Sequence, residues 1–157
     1  MFGRLLQTDP RNYALTVIRV VLGFVFFAHG AQKVLGWFGG YGFSGTMGFF
    51  THNLGIPAPL AFLAICAEFL GGIGLIVGLL SRVAAFGIAC EMVTVVYMFH
   101  MKFGLFMNWN GDQKGEGIEY HFLVLAMTLA IMLAGAGPLS IDAALSRGES
   151  KRMGAAA

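Results

Sequence analysis

Residues 13–35, YALTVIRVVLGFVFFAHGAQKVL, form an apolar stretch long enough to cross a bilayer, yet they include three basic side chains. A helix needs about 20 mainly apolar residues to span the hydrocarbon core. At about 100° per residue, Arg19, His29 and Lys33 fall within an arc of roughly 80°. Ionisable residues in a span are costly and usually face the bundle interior or water. We therefore expect one polar stripe on this helix, turned towards other helices.

Composition places the whole chain in the membrane class. Hydrophobic residues make up 57% of the 157 residues and charged residues only 11%, whereas soluble domains average about 25% charged residues. The net charge of +2 is small and the basic residues are scattered, which excludes a surface for nucleic acid. The sequence predicts a single membrane domain over residues 1–157, in contact with the lipid bilayer.

Three further apolar segments complete an all-α, integral membrane four-helix bundle. The predicted spans are approximately 13–35, 58–79, 83–103 and 118–137. Lys and Arg gather at the chain ends and at Arg82, which predicts a multi-pass protein with both termini cytoplasmic. The fourth span ends at a Gly-Pro stop, after which Ser140 and Asp142 can cap a turn or short helix. Residues 143–157 are expected to form a mobile cytoplasmic tail.

The connection between the first two spans is aromatic and rich in glycine. Residues 36–57, GWFGGYGFSGTMGFFTHNLGIP, predict an outer loop or a short interfacial helix that Ser44 caps. Its aromatic side chains suit headgroup depth. Two interpretations stay open, a segment that anchors to lipid and a lid over an outward-facing pocket. The other outer loop, residues 104–117, is polar, and Trp109 is its expected interface anchor.

The basic stripe needs acidic partners, and one of them is expected near the cytoplasm. Glu91 lies in the inner half of the third span, at a depth comparable to Arg19. An unpaired charge at such depth is costly, so we expect these two residues to pair. A structural ion pair is favoured over a reaction centre.

The outer end of the bundle is the better functional candidate. His29 and Lys33 end the first span there, and Glu119 opens the fourth span at a similar level. Glu68 lies near the middle of the second span. We expect either basic residue to pair with either acid, which would collect chemically different groups near an aqueous entrance.

Three more side chains are secondary candidates for this cluster. His100 lies about 160° from Lys102 on the third helix, and His121 about 160° from Glu119 on the fourth. Only one residue of each couple can therefore face inward. No H-x-x-x-H or E-x-x-H spacing occurs within a span, so no metal site is predicted.

Three stretches together resemble the DoxX family of small four-span bacterial membrane proteins. They are RVVLGFVFFAHGAQKVLG (19–36), AEFLGGIGLIVGLLSR (67–82) and GEGIEYHFLVLAMTLAIMLAGAGPLSID (115–142). The similarity runs from about residue 14 to 145. Its strongest elements are the HG-x-x-K ending of span one, the E-x-x-GG of span two and the terminal GPLSID.

The resemblance implies a location in the bacterial cytoplasmic membrane and an association with membrane redox reactions. Some members resemble the small subunit of a thiosulfate:quinone oxidoreductase, and others associate with superoxide-detoxifying and sulfur-transfer enzymes. The family has no settled set of catalytic residues. The residues that match its recurrent polar positions are Arg19, His29, Lys33, Glu68 and Glu119; Glu91 and His121 match less clearly.

Three functions are compatible with this sequence. The favoured hypothesis is an accessory subunit of a membrane redox complex, with a quinone as the candidate cofactor at the outer end. The second is a transporter of protons or small solutes, which requires a homo-oligomer, through a face that contains Gly74 and Gly78. The third is a scaffold that docks partner enzymes and has no chemistry of its own.

Overall fold

The computed structural model describes residues 5–155, and its side chains over residues 5–148. The helices are α1 (Tyr13–Leu35), α2 (Gly42–Gly48), α3 (Ala58–Val77), α4 (Ser81–Val95), α5 (Glu119–Ala134) and α6 (Ile141–Ala155). Over residues 5–155 the chain contains no strand, so the predicted all-α class is confirmed.

Three helices are long and apolar enough to cross a membrane. They are Tyr13–Leu35, Ala58–Val77 and Ser81–Phe103, the last of which extends α4 through a π-helical turn and a 3-10 turn. The fourth apolar helix, α5, has only 16 residues, or about 24 Å at 1.5 Å per residue. It is shorter than the predicted span 118–137 because the backbone leaves the helix at Gly135. The protein is a membrane helical bundle.

Helices α1, α3, α4 and α5 form a closed ring. Helix α1 packs on α3, α3 on α4, α4 on α5, and α5 returns to α1. Buried apolar side chains fill its centre, among them Leu22, Phe26, Leu75, Ile88 and Ile131. We call the end that carries the first residues of α1 and of α6 the terminal end. The opposite end, with residues 36–57 and 104–118, is the loop end.

Two glycines allow α1 and α3 to touch along their backbones. A Cβ added at Gly30 would lie 2.5 Å from the Cα of Phe69, and one added at Gly72 would lie 2.5 Å from the backbone nitrogen of Phe27. Such small residues let membrane helices approach closely. The close approach brings Lys33, one turn beyond Gly30, beside the acidic residue that precedes Phe69.

The segment after α1 contains a short helix, one of the two structures predicted for it. A 3-10 turn at Trp37–Gly39 leads into α2, and a π-helical turn at Phe49–Asn53 follows it. Helix α2 begins at Gly42, so Ser44 lies inside it and the predicted cap at Ser44 is wrong. The exposed aromatic side chains here are Trp37, Phe38, Tyr41, Phe43 and Phe49.

The chain after α5 is folded against the terminal end. The Ser140 hydroxyl donates to the Gly137 carbonyl at 2.7 Å and accepts the Ala143 N–H at 3.1 Å, which confirms the cap predicted at Ser140. The same prediction is wrong for Asp142, whose carboxylate accepts N–H groups at the start of α4. Helix α6 includes most of the predicted tail 143–157. Mobility of the tail stays a prediction.

Candidate functional site

Arg19 belongs to the terminal end and acts as a clamp between helix ends. Its guanidinium donates to the carbonyls of Leu75 at 2.5 Å and Ile76 at 2.6 Å, at the end of α3. It also donates at 3.0 Å to Ala136 and to Leu139, just beyond α5. Carbonyls at helix C-termini lack partners within the helix and favour a cation. Arg19 is only 1% exposed, so this clamp is part of the core.

Asp142 is the acid that accompanies this clamp. Its carboxylate accepts the N–H groups of Leu80 at 2.8 Å and Ser81 at 2.9 Å, so it caps the start of α4. It is 1% exposed, and its charge lies close to Arg19. The predicted pairing of Arg19 with Glu91 is wrong, because the guanidinium turns to the terminal end. We call Arg19 and Asp142 the terminal clamp.

A second cluster lies towards the loop end. Lys33 of α1 and Glu68 of α3 form an ion pair, one of the pairings expected from the sequence, with side chains 23% and 7% exposed. The carboxyl group of Glu91 on α4 lies beside that of Glu68. It is also close enough to Lys33 to interact with it electrostatically. Three helices thus contribute one charged residue each. We call Lys33, Glu68 and Glu91 the carboxyl cluster.

Two predicted members of the outer site lie elsewhere. His29 is exposed on α1, because it falls at the far edge of the predicted arc and faces away from the bundle. The Glu119 carboxylate accepts the Met107 N–H at 3.1 Å and so holds the second loop against α5. Neither residue joins the carboxyl cluster.

The secondary histidines meet each other. The rings of His100 and His121 lie 4.3 Å apart, centroid to centroid, and His100 Nδ1 lies 2.8 Å from the Glu116 carbonyl. His121 is 5% exposed. Lys102 is exposed, with its ammonium 5.0 Å from the Phe103 ring centroid. In each of the two couples the histidine is the more buried residue.

Tyr120 lies near both the carboxyl cluster and the two histidines, and it was not among the residues predicted from the sequence. Its ring centroid lies 5.4 Å from that of His121. Its phenol is close enough to Glu68 and Glu91 to interact with them electrostatically. Aromatic residues near the ends of spans usually anchor to the interface. The sequence feature that could have indicated Tyr120 is its position directly before His121, at the start of a span.

A cavity of about 270 Å³ lies between the end of α1 and the segment around α2. Its polar and aromatic lining consists of Gln32, Lys33, Tyr41, Thr46, Phe49 and Phe50. Since Lys33 also contacts Glu68, this residue joins the cavity to the carboxyl cluster. A second, more open groove on α2 shares Tyr41 and Phe49 with this cavity and is also lined by Ser44 and His52.

The chemistry within reach of the cavity is that of hydrogen bonds and proton transfer. Lys33 and Gln32 can donate, and the acids behind Lys33 can take up a proton. Over the part of the chain whose side chains are described, no three His, Cys, Asp or Glu residues group closely enough to hold a metal ion.

Comparison with known proteins agrees with this architecture. The chain is 25% identical over 133 residues to "Putative oxidoreductase CatD" of Bacillus subtilis, covering 85% of this chain and 87% of that protein. It is 29% identical over 136 residues to "Inner membrane protein YqjF" of Escherichia coli, with coverages of 87% and 95%. An uncharacterized protein of Haemophilus influenzae is 31% identical over 134 residues, with coverages of 84% and 90%. No solved structure gives a significant match.

A protein-family match covers α1, the segment around α2, α3 and most of the third span. It extends over residues 14–101, more than half of the chain, and is described as DoxX. This range includes all three members of the carboxyl cluster and the residues that line the cavity. The protein therefore belongs to the DoxX family.

Proposed function

We propose that this protein is a membrane subunit of a redox complex, and that the cavity at its loop end binds a quinone headgroup. The observation that carries the proposal is the position of Lys33, whose side chain is part of the cavity lining and of the ion pair with Glu68. A quinone carbonyl needs a hydrogen-bond donor, and its reduction or oxidation needs a nearby proton acceptor or donor. The cavity and the cluster supply both.

The size and lining of the cavity favour one aromatic ring. Pockets for drug-sized ligands occupy about 300–1,000 Å³, so a volume of about 270 Å³ suits a headgroup and leaves an isoprenoid tail outside. Tyr41, Phe49 and Phe50 provide apolar walls, and aromatic rings pack well against them. The exposed aromatic residues around α2 would then border lipid, where the tail lies.

The relatives support this context. One is named a putative oxidoreductase and another an inner membrane protein. We propose the same membrane for this chain, with its terminal end in the cytoplasm and its loop end outside. The distribution of Lys and Arg supports this orientation.

The transporter hypothesis is less well supported. It requires an oligomer through Gly74 and Gly78, but a Cβ at Gly78 would lie 2.3 Å from that of Ser140 and 3.0 Å from the Arg19 guanidinium carbon. Gly78 is thus covered within the protomer. The scaffold hypothesis gives the carboxyl cluster only a structural role, and the next experiment separates it from quinone binding.

Lys33→Met should remove quinone binding, because the cavity loses its charged donor while keeping a long apolar side chain. Wild-type protein purified in mild detergent should carry quinone that mass spectrometry of an organic extract detects. We expect at least a tenfold lower content in the variant, as about 1.4 kcal/mol of lost binding gives. Lys102→Met, which removes an exposed lysine over Phe103, should retain the wild-type content.

Two results would overturn the proposal. One is the absence of quinone from wild-type protein that is folded and still bound to its membrane partners. The other is equal quinone content in Lys33→Met and Lys102→Met. If Lys33→Met loses thermal stability and partner recovery to the same degree as quinone, the scaffold hypothesis is favoured.

A further inference from the structure

We propose that α6 lies along the bilayer surface at the terminal end and binds the headgroups of anionic phospholipids. The binding surface is at the opposite end of the bundle from the cavity and does not depend on quinone binding. Among the side chains of α6 that the structure describes, the buried ones are confined to the first turn. Lipid is the partner that we assign to the exposed side.

The first turn of α6 is fixed at the level where two spans end. The Asp142 N–H donates to the Gly78 carbonyl at 2.9 Å. The Asp142 carboxylate accepts the N–H groups of Leu80 and Ser81, in the tight turn from α3 to α4. A turn between two spans lies at the edge of the hydrocarbon core. Helix α6 therefore begins at the depth of the lipid headgroups.

One side of α6 is apolar and exposed. Asp142 and Ala143 are buried and face the bundle. The exposed residues on the other side are Ile141, Ala144, Leu145 and Gly148. Their spacing, i, i+3, i+4 and i+7, places them in one strip along the helix. A helix with such a strip at headgroup depth lies in the plane of the interface, with the strip against the acyl chains.

The strip continues the lipid-facing surface of the bundle. Leu133, on the last turn of α5, is exposed, and Leu139, just before α6, is 76% exposed. Leu139 has a φ of 56°, which leucine rarely adopts, and its carbonyl accepts the Arg19 guanidinium at 3.0 Å. The backbone thus presents a large apolar side chain outward at the start of α6. Acyl chains, which already surround α5, are the nearest apolar medium for it.

The second half of α6 is basic, which indicates the charge of the lipid. Residues 147–152, RGESKR, contain three basic residues and one acid, and the helix continues through them to Ala155. Arg147 is exposed, and its Nε donates to the Ala143 carbonyl at 3.0 Å. At about 100° per residue, Arg147 lies about 60° from Ala144, at the edge of the strip. Basic residues beside an apolar strip are typical of helices that bind anionic lipid surfaces.

Tryptophan fluorescence of the full-length protein tests where α6 lies. The chain has two tryptophans, so Leu145→Trp in a Trp37→Phe, Trp109→Phe background places a single reporter in the strip. The vesicles contain equal parts of phosphatidylglycerol and phosphatidylcholine. We expect blue-shifted emission and strong quenching by lipids brominated near the top of the acyl chain. Emission like that of tryptophan in water would overturn the proposal. Blue-shifted emission without quenching would also overturn it, because protein would then cover the strip.

The preference for anionic lipid is measured by stabilisation in detergent. Phosphatidylglycerol should raise the unfolding midpoint of the wild-type protein, phosphatidylcholine should not, and salt should weaken the effect. A variant with Arg147, Lys151 and Arg152 all replaced by glutamine keeps the strip. It should need at least about tenfold more phosphatidylglycerol, because each basic residue near an anionic surface adds to the binding free energy. Lys114→Gln, which removes an exposed lysine from the second loop, should respond as wild type.

Equal responses of the wild type and the triple variant to phosphatidylglycerol would contradict binding of anionic headgroups by α6. Leu145 and Arg147 are exposed, so their replacement should leave the unfolding midpoint without lipid close to that of the wild type. The quinone content of the triple variant should also be unchanged, since the cavity lies at the loop end. Lipid binding and quinone binding can therefore fail or succeed separately.

Discussion

Arg19→Leu should leave little folded protein. The substitution removes a guanidinium that binds four backbone carbonyls at the ends of α3 and α5. It also leaves the Asp142 charge buried without its cation. A buried acceptor left unsatisfied costs about 1–3 kcal/mol, and four carbonyls lose their donor in this variant.

Thermal unfolding in detergent, followed by circular dichroism, measures the effect. We expect a large drop in the midpoint or the loss of soluble protein for Arg19→Leu. Arg11→Leu removes an exposed arginine just before α1 and should stay close to wild type. A midpoint for Arg19→Leu equal to that of Arg11→Leu would contradict the terminal clamp.

Gly72→Val should separate α1 from α3 and abolish quinone binding together with stability. A single Cβ at this position would already lie 2.5 Å from the Phe27 nitrogen, and backbone cannot move aside as a flexible side chain can. Overpacking a core costs about 1–3 kcal/mol or more. The same contact between α1 and α3 holds Lys33 beside Glu68. Any variant protein that still folds should therefore lack this ion pair.

Gly48→Ala is the matched control for this substitution. A Cβ at Gly48 would have no neighbour within 4 Å, and the residue has ordinary helical geometry at the end of α2. Its unfolding midpoint should equal or slightly exceed that of wild type, because alanine favours helix over glycine. A Gly72→Val variant as stable as Gly48→Ala would show that the two helices do not pack as described.

The apolar pattern was enough to predict the bundle but not where each polar side chain reaches. Arg19 and Glu91 occur at similar depth, which made them apparent partners. A long arginine instead reaches unpaired carbonyls at helix ends, and that possibility depends on where α3 and α5 stop. Gly78 and Gly135 set those stops through positive φ angles, which no periodicity reveals.

The candidate site was only partly predictable for a similar reason. Lys33 and Glu68 could be matched by level and face, and their ion pair is present. His29 differs from Lys33 by about 40° around the helix, and this small angle decides between the interior and the outside. Tyr120 was missed because its role depends on which helices neighbour α5, and sequence spacing does not give that order.

Fluorescence quenching of Trp37 by a short-chain quinone measures quinone binding in the cavity. The chain has two tryptophans, so Trp109→Phe leaves Trp37, in the segment that borders the cavity, as the reporter in lipid vesicles. We predict quenching that saturates with quinone concentration and becomes weak and linear when Lys33→Met is added. Linear quenching of equal slope with and without Lys33 would contradict it.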